Sequence, residues 1–403
     1  MTATLFDAGA RLRAAAEQRL VPRMYHRPVA ADGRLMLAIA STTMGRGPGA
    51  RRVLRAAMSD GRTATGDSIG ALSTLAVFAC DPDPITLVVA TRADLDLLLR
   101  LAKTAADTGR EGDLAHLINV AAHSADHPGS SLVVIATEAC AARWYTGEPP
   151  AHDRLLSTWT RWLHIASNGP NALLDIAEKV LAGPALPGEG AILDADVWRW
   201  NGARHVREGG GDWRRNDSRM MAAIGLKSRC DAAELHVGLL LSDPYLAARE
   251  VHNGHVVTGH VVESRKRHAL VSDRLDCRLK AGARVEGWIG TPRQSPRSDV
   301  PESDAQGIRV KGTVETVAIT AAGHLEIVLT GMRRMAQTPE PLVIPDIATM
   351  TLRPAAADPN MQTRGRQNLR DRYKSGASWL VGGDIPARPK RQVPLDVAVA
   401  AAD

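Results

Sequence analysis

Ile85 to Ala90, ITLVVA, constrains the fold more than any other stretch of this chain. It is six uncharged residues bounded by Asp81-Pro-Asp-Pro84 on one side and Thr91 on the other. Its continuous β-branched and apolar character predicts a strand buried on both faces, which requires a sheet with layers on each side. The prolines end whatever helix precedes it. Thr91-x-x-Asp94 then forms a capping-box pattern in front of LDLLLRLA, which predicts a helix directly after the strand.

The residues from Arg34 to Lys103 supply the rest of that sheet. Leu35 to Ala40 predicts a buried strand, followed by a loop through Gly45, Gly47, Pro48 and Gly49. Residues 51–58 and 62–67 flank Asp60-Gly61, a strong hairpin signal, and are expected to pair as strands. Leu72, Leu75, Ala76 and Ala79 share one helical face. Gly45-x-Gly47-x-x-Ala50 matches the loose dinucleotide fingerprint. Pro48, however, removes one amide from the cradle, and RTATGDSIG is not the apolar second strand such a unit needs, so no cofactor is expected.

In order of elements this region, with Leu132 to Thr137 as a fifth strand, resembles the ribonuclease H-like superfamily over residues 35–165. The resemblance implies a mixed sheet with flanking helices. In that family an aspartate on the first strand, a glutamate on the first helix and an aspartate ending the fourth strand hold two divalent metals. The matching positions here are Ala40-Ser41-Thr42-Thr43, the acid-free stretch Ile69 to Cys80, and Ala90-Thr91-Arg92. The resemblance therefore implies a scaffold without its catalytic acids, and no catalytic or metal-binding residue is assigned.

Composition narrows the rest. Two Phe and four Tyr against eight Trp leave Ala, Val, Leu and Ile to build the cores of a 403-residue chain long enough for several domains. Four widely spaced cysteines without a C-x-x-C pair argue against a disulfide framework or a thiolate zinc site. No apolar run approaches membrane-spanning length, so no membrane partner is expected and the protein is expected to be cytoplasmic. The net charge of +6 favours polyanionic partners, although the excess of Arg over Lys, with abundant Ala and Gly, also follows from coding bias.

Five regions are expected: an N-terminal helical extension (1–34), the ribonuclease H-like domain (35–165), a linker that is helical and rich in Gly, Trp and Arg (166–233), a small five-stranded β-barrel (234–333) and a flexible, Pro-rich basic tail (334–403). The fold class is thus α/β plus all-β. Helices are expected on both sides of Asn168-Gly169-Pro170, with Trp159 and Trp162 packing on the sheet. The predicted barrel strands are His255–Glu263, His268–Leu279, Arg284–Ile289, Ile308–Ile319 and Leu325–Leu329. Their number resembles an oligonucleotide-binding barrel. His116, His123 and His127 fall near one helical face, but a spacing of seven is long for one ion and favours a solvated or hydrogen-bonded histidine face; His252, His255 and His260 have no Cys or carboxylate partner at suitable spacing, so no metal is expected at either set.

Candidate nucleic-acid contacts are the Trp- and Arg-bearing segment (Arg204, Arg207, Trp213, Arg214, Arg215), a basic hairpin (Arg265, Lys266, Arg267), Arg333 and Arg334 after the last strand, and Arg364, Arg366, Arg370, Arg372 and Lys374 in the tail. The expected function is non-catalytic nucleic-acid binding, to DNA or RNA, or nucleoprotein assembly through phosphate contacts. A protein partner could dock on the C-terminal tail, at Trp379-Leu380 or PLDVAVA. Two alternatives stay open: a metal-dependent nuclease using Asp81, Asp83, Asp94 and Glu138, and a structural subunit of a protein-only complex.

Overall fold

A computed structural model describes residues 5–45, 51–78, 83–105, 109–209, 219–264, 267–289, 308–334 and 349–375. The chain opens with helix α1 (Leu5–Glu17) and a two-residue strand β1 (Val21–Pro22). Strands β2 (Met36–Met44), β3 (Arg51–Met58) and β4 (Thr63–Gly66) form an antiparallel meander, turning between β3 and β4 at Gly61, whose φ is +92°. Only glycine adopts that conformation freely, which is why Asp60-Gly61 marks the turn. Helix α2 (Ile69–Leu72) runs into a 3-10 turn (Ser73–Phe78), where a single longer helix had been expected.

Strand β5 (Thr86–Val89) is buried at every position and pairs parallel to β2. Helices α3 (Arg92–Lys103) and α4 (Gly109–Ser124) lead to β6 (Val133–Ile135), parallel to β5. The sheet order is β4-β3-β2-β5-β6. The expected two-sided burial is explicit. Leu87 and Val89 join Leu37, Ile39, Leu54 and the α3–α4 side chains in one core, while Val88 joins Ala38, Val134 and Trp159 in the other.

That second core is covered by α5 (Ala136–Arg143), α6 (Leu156–Trp162) and α7 (Gly169–Leu181), with β7 (Trp144–Tyr145) pairing β1. Trp159 is fully buried there and donates Nε1–H to the Asp153 carbonyl at 2.8 Å. The break between α6 and α7 falls where Asn168-Gly169-Pro170 placed it. Strand β6 stops at Ile135, two residues short of the expected end, because α5 starts at Ala136.

The stretch after Gly183, the Gly-, Trp- and Arg-rich part of the expected linker, contains a long regular helix. Residues Gly190–Glu208 form helix α8, and Ile192, Asp196, Trp200 and Ala203 are buried along it at spacings of three to four residues. Trp200 and Ala203 complete the core above the α3–α4 face. Glycines and tryptophans made this segment resemble a loop, but Gly202 has open space around it and the helix accommodates it. Helix α9 (Arg219–Leu240) follows, then the short, seven-residue α10 (Pro244–Glu250). Leu235 and Leu239 of α9 pack with Val29, Leu186 and Ile192.

The all-β part is a closed barrel of six strands, not five. Strands β8 (Val257–Ser264), β9 (Arg267–Ser272), β10 (Arg284–Ile289), β11 (Ile308–Ile319) and β12 (Leu325–Arg334) match the expected set, with β9 ending at Ser272. The sixth, β13 (Thr349–Pro354), pairs antiparallel with both β10 and β8 and closes the barrel. It lies in the segment expected to be a flexible tail. Met350 and Leu352 point into the barrel core, alternating with Thr351 and Arg353, so the short stretch TMTLRP carries a strand pattern that its proline-rich surroundings obscure. At this seam Gly287 leaves no room for a side chain, since a Cβ there would sit 1.9 Å from the Thr351 carbonyl oxygen.

Helix α11 (Pro359–Lys374) is the second departure from a flexible tail. It packs along α9, and Arg366 and Gln362 both bond Asp231 of that helix. Trp379-Leu380 and PLDVAVA lie outside the described residues. Among the described residues no helix is long and apolar enough to cross a membrane.

Candidate nucleic-acid interface

The strand ends that would carry a ribonuclease H-like centre are occupied by structural bonds. Asp94 Oδ2 accepts from the Thr91 amide at 3.1 Å and from the Thr91 hydroxyl at 2.6 Å, and the Asp94 amide donates back to Thr91 Oγ1 at 3.3 Å. This is the capping box in full. Glu138, at the start of α5, is held across from it by Arg92, with Nη2–Oε2 at 3.2 Å and Nε–Oε1 at 3.4 Å. β2 contributes Ala40 to Thr43 and no carboxylate.

Among the described residues, the acids of the nuclease alternative do not converge on one site. β2 and β5 are parallel, so Asp83, which precedes β5 and acts on Arg34, lies at the opposite end of the sheet from Asp94 and Glu138. Asp81 falls outside the described residues. Among the described residues no group of three His, Cys, Asp or Glu is placed to hold a metal ion. The histidines are dispersed accordingly. His116 is buried in α4, His127 Nδ1 lies 3.2 Å from the His123 carbonyl, and His255 Nε2 accepts from Arg278 at 2.9 Å.

The basic candidates separate into those bound by acids and those facing solvent. Arg207 pairs with Asp113 at 3.2 Å and Arg204 with Glu208 at 3.6 Å, so both serve α8 and its contact with α4. Arg366 Nη1 lies 2.9 Å from Oδ2 of Asp231, whose side chain is 1% exposed and whose other oxygen takes Lys227 Nζ. Removing either cation leaves a buried carboxylate half-compensated. Arg364 and Lys374 on the same helix are exposed, with Arg370 and Lys374 one turn apart. Arg372 lies in α11, although its side chain is not among those described. Trp213, Arg214, Arg215, Arg265 and Lys266 lie outside the described residues.

The barrel brings Arg333 to a partner that sequence reading missed. A single row of outward-facing residues crosses four strands: Arg353 opposite Glu286, Glu286 opposite Lys311, and Lys311 opposite Arg333. Glu286 is the only acid in this row, and Arg353 takes it, with Nη2–Oε2 at 2.8 Å. Arg353 also donates to the Gly238 carbonyl of α9 at 2.7 Å, which turns that pair inward. Lys311 and the exposed Arg333 are left side by side. Two like charges directly opposite on neighbouring strands repel. Two cations so placed have the chemistry to hold a bridging anion.

The β8–β9 hairpin adds to the same end of the barrel. The β9–β12 ladder ends at the pair His268–Leu329, so Arg267, which opens β9, lies beside the part of β12 that leads to Arg333 and Arg334. Lys311 and Arg333 belong to the hairpin marked by Ala322-Gly323, but two register irregularities, between Lys311 and Thr313 and between Val314 and Thr316, lie between that turn and the pair, so their pairing is read from the ladder and not from the sequence. No family model matches this chain, and no curated protein matches it in sequence.

Proposed function

We propose that this is a non-catalytic nucleic-acid-binding or nucleoprotein-assembly protein that engages its partner mainly through phosphate contacts. The observation that carries the reading is the adjacent Lys311 and Arg333, whose nearest acid in the row, Glu286, is already bound to Arg353. A phosphate between them replaces repulsion with two charge-assisted bonds. The exposed Arg364 and Lys374 of α11 extend the positive surface, and the backbone positions of Arg267 and Arg334 fall toward the same end of the barrel.

The ribonuclease H-like resemblance is supported by the strand order, in which an antiparallel meander is followed by two strands parallel to its first. The non-catalytic part of the proposal rests on the absence of carboxylates at the end of β2 and in α2, and on the structural bonds that hold Asp94 and Glu138. Binding of labelled single- and double-stranded DNA and RNA over a salt series tests the function. Incubation of the same complexes with magnesium or manganese tests the absence of cleavage. Affinity that falls steeply with salt, with intact nucleic acid recovered, is the expected result. No binding at low salt, or metal-dependent cleavage, would overturn it.

A further inference from the structure

The β2–β3 hairpin reaches beyond the sheet that holds it. β5 pairs with β2 only from Met36 to Ala38, and β4 pairs with β3 only from Leu54 to Ala57. The outer pairs Thr42–Val53, Thr43–Arg52 and Met44–Arg51 have no further strand on either side. They form a free two-stranded ribbon about 10 Å long, from about 3.4 Å per residue. Thr42, Thr43, Met44, Arg51 and Arg52 are all exposed. A ribbon with no buried face is marginally stable alone, so its persistence past the sheet suits a surface that a partner covers.

Its charge specifies that partner. Arg51, Arg52 and Arg55 are exposed and make no ion pair among the described residues. No Asp or Glu occurs anywhere between Leu35 and Met58. Successive side chains alternate between faces, so Arg51 and Arg55 line one side of the hairpin and Arg52, beside Thr43, the other. Cations on both faces of a narrow ribbon suit a groove walled by phosphates on each side, rather than a flat acidic surface. The major groove of B-form DNA is about 12 Å wide and about 8.5 Å deep and admits a two-stranded ribbon. The deep, narrow major groove of A-form RNA does not.

We infer that the β2–β3 ribbon is a DNA-reading element that enters the major groove, with Arg51 and Arg52 reaching phosphates or guanine edges on opposite walls and Arg55 a backbone phosphate. This rests on the nucleic-acid reading but uses a surface distinct from the barrel row. The full chain is tested against a duplex DNA, a duplex RNA of the same sequence and the DNA single strand, alongside R51A/R52A/R55A and the charge-conserving R51K/R52K/R55K. The alanine variant is expected to weaken duplex-DNA binding at least about tenfold and to lower the salt slope by about 2 to 3, at 0.9 per phosphate contact. R51K/R52K/R55K keeps the positive charge and is expected to keep most of the affinity. Methylation of guanine N7, which lies in the major groove, is expected to be blocked by the wild type and not by the alanine variant. If the wild type binds duplex DNA with N7 unprotected, or the alanine variant binds equally well, the ribbon inference fails and the barrel reading stands. If the wild type binds no nucleic acid, both fall.

Discussion

The carboxylate of Asp243 lies 2.8 Å from the backbone nitrogen of His26, and both side chains are completely buried. The same oxygen, Oδ2, accepts from the Tyr25 amide at 2.8 Å and faces His26 Nδ1 at 3.0 Å. The other oxygen caps α10 through the amides of Tyr245 and Leu246, at 3.0 and 3.2 Å. One side chain thus fastens the segment that enters the sheet to the turn between α9 and the barrel. With Nδ1 as the donor, His26 Nε2 is left buried and without a hydrogen-bond partner among the described residues.

Asp243→Ala strands four backbone amides and a buried imidazole. A loss of about 3–5 kcal/mol is expected, the range for removing one partner of a buried charged network. Urea unfolding followed by tryptophan fluorescence measures it, and a loss below about 1 kcal/mol would contradict the role given to Asp243.

Acid sensitivity should centre on the junction between α4, α8 and α9. Burial pushes the pKa of His236 down from 6.5 to about 4, and burial together with Arg199 and Arg229 does the same to His127. His236 packs against Gly129, where a Cβ would sit 2.5 Å from its ring. The unfolded chain takes up these protons below about 6.5 and the folded chain only near 4, so stability is complete above that window and falls as pH drops through it. The urea midpoint should fall between pH 7 and pH 5, and fall less in His236→Leu. An equal drop in both proteins would contradict the assignment.

Closure of the barrel depends on the approach of β10 to β13 at Gly287. Gly287→Ala should destabilise the protein by about 1–3 kcal/mol through overpacking. Hydrogen exchange should show β13 amides opening preferentially. Protection unchanged along Thr349–Pro354 would mean that the seam tolerates a side chain.

Within the basic helix α11, two arginines should behave differently. Arg366→Ala leaves Asp231 buried with Lys227 alone and should cost stability, by about 3 kcal/mol or more. Arg364→Ala, on an exposed side chain, should stay within about 0.5 kcal/mol of the wild type while lowering the salt slope of nucleic-acid binding by about 1. Thermal melts and binding isotherms on the two variants separate the roles.

Much of this fold was legible in the sequence because its signals were local. ITLVVA, Thr91-x-x-Asp94, Asp60-Gly61 and Asn168-Gly169-Pro170 each carry their own physics, and each marks the element it predicts. The sixth barrel strand was not legible, because TMTLRP gains its meaning only from the open seam between β8 and β10. Helix α8 was hidden for a related reason: its Trp200 and Ala203 make sense as a buried face only once the α3–α4 layer exists to receive them. At the candidate interface, Arg333 was visible as a charge, but its partner Lys311 required strand register. Arg366 read as a phosphate contact because its buried counter-ion, Asp231, is 135 residues away.

We propose that Lys311 and Arg333 together hold a phosphate of the bound nucleic acid. This claim is tested most directly by the salt dependence of nucleic-acid binding for the wild type and K311A/R333A, measured by fluorescence anisotropy on the full chain. Removing two phosphate contacts should reduce the slope of log affinity against log salt by about 2, with no loss of thermal stability, since like charges directly opposite are relieved. An unchanged slope in a folded K311A/R333A variant would contradict the claim.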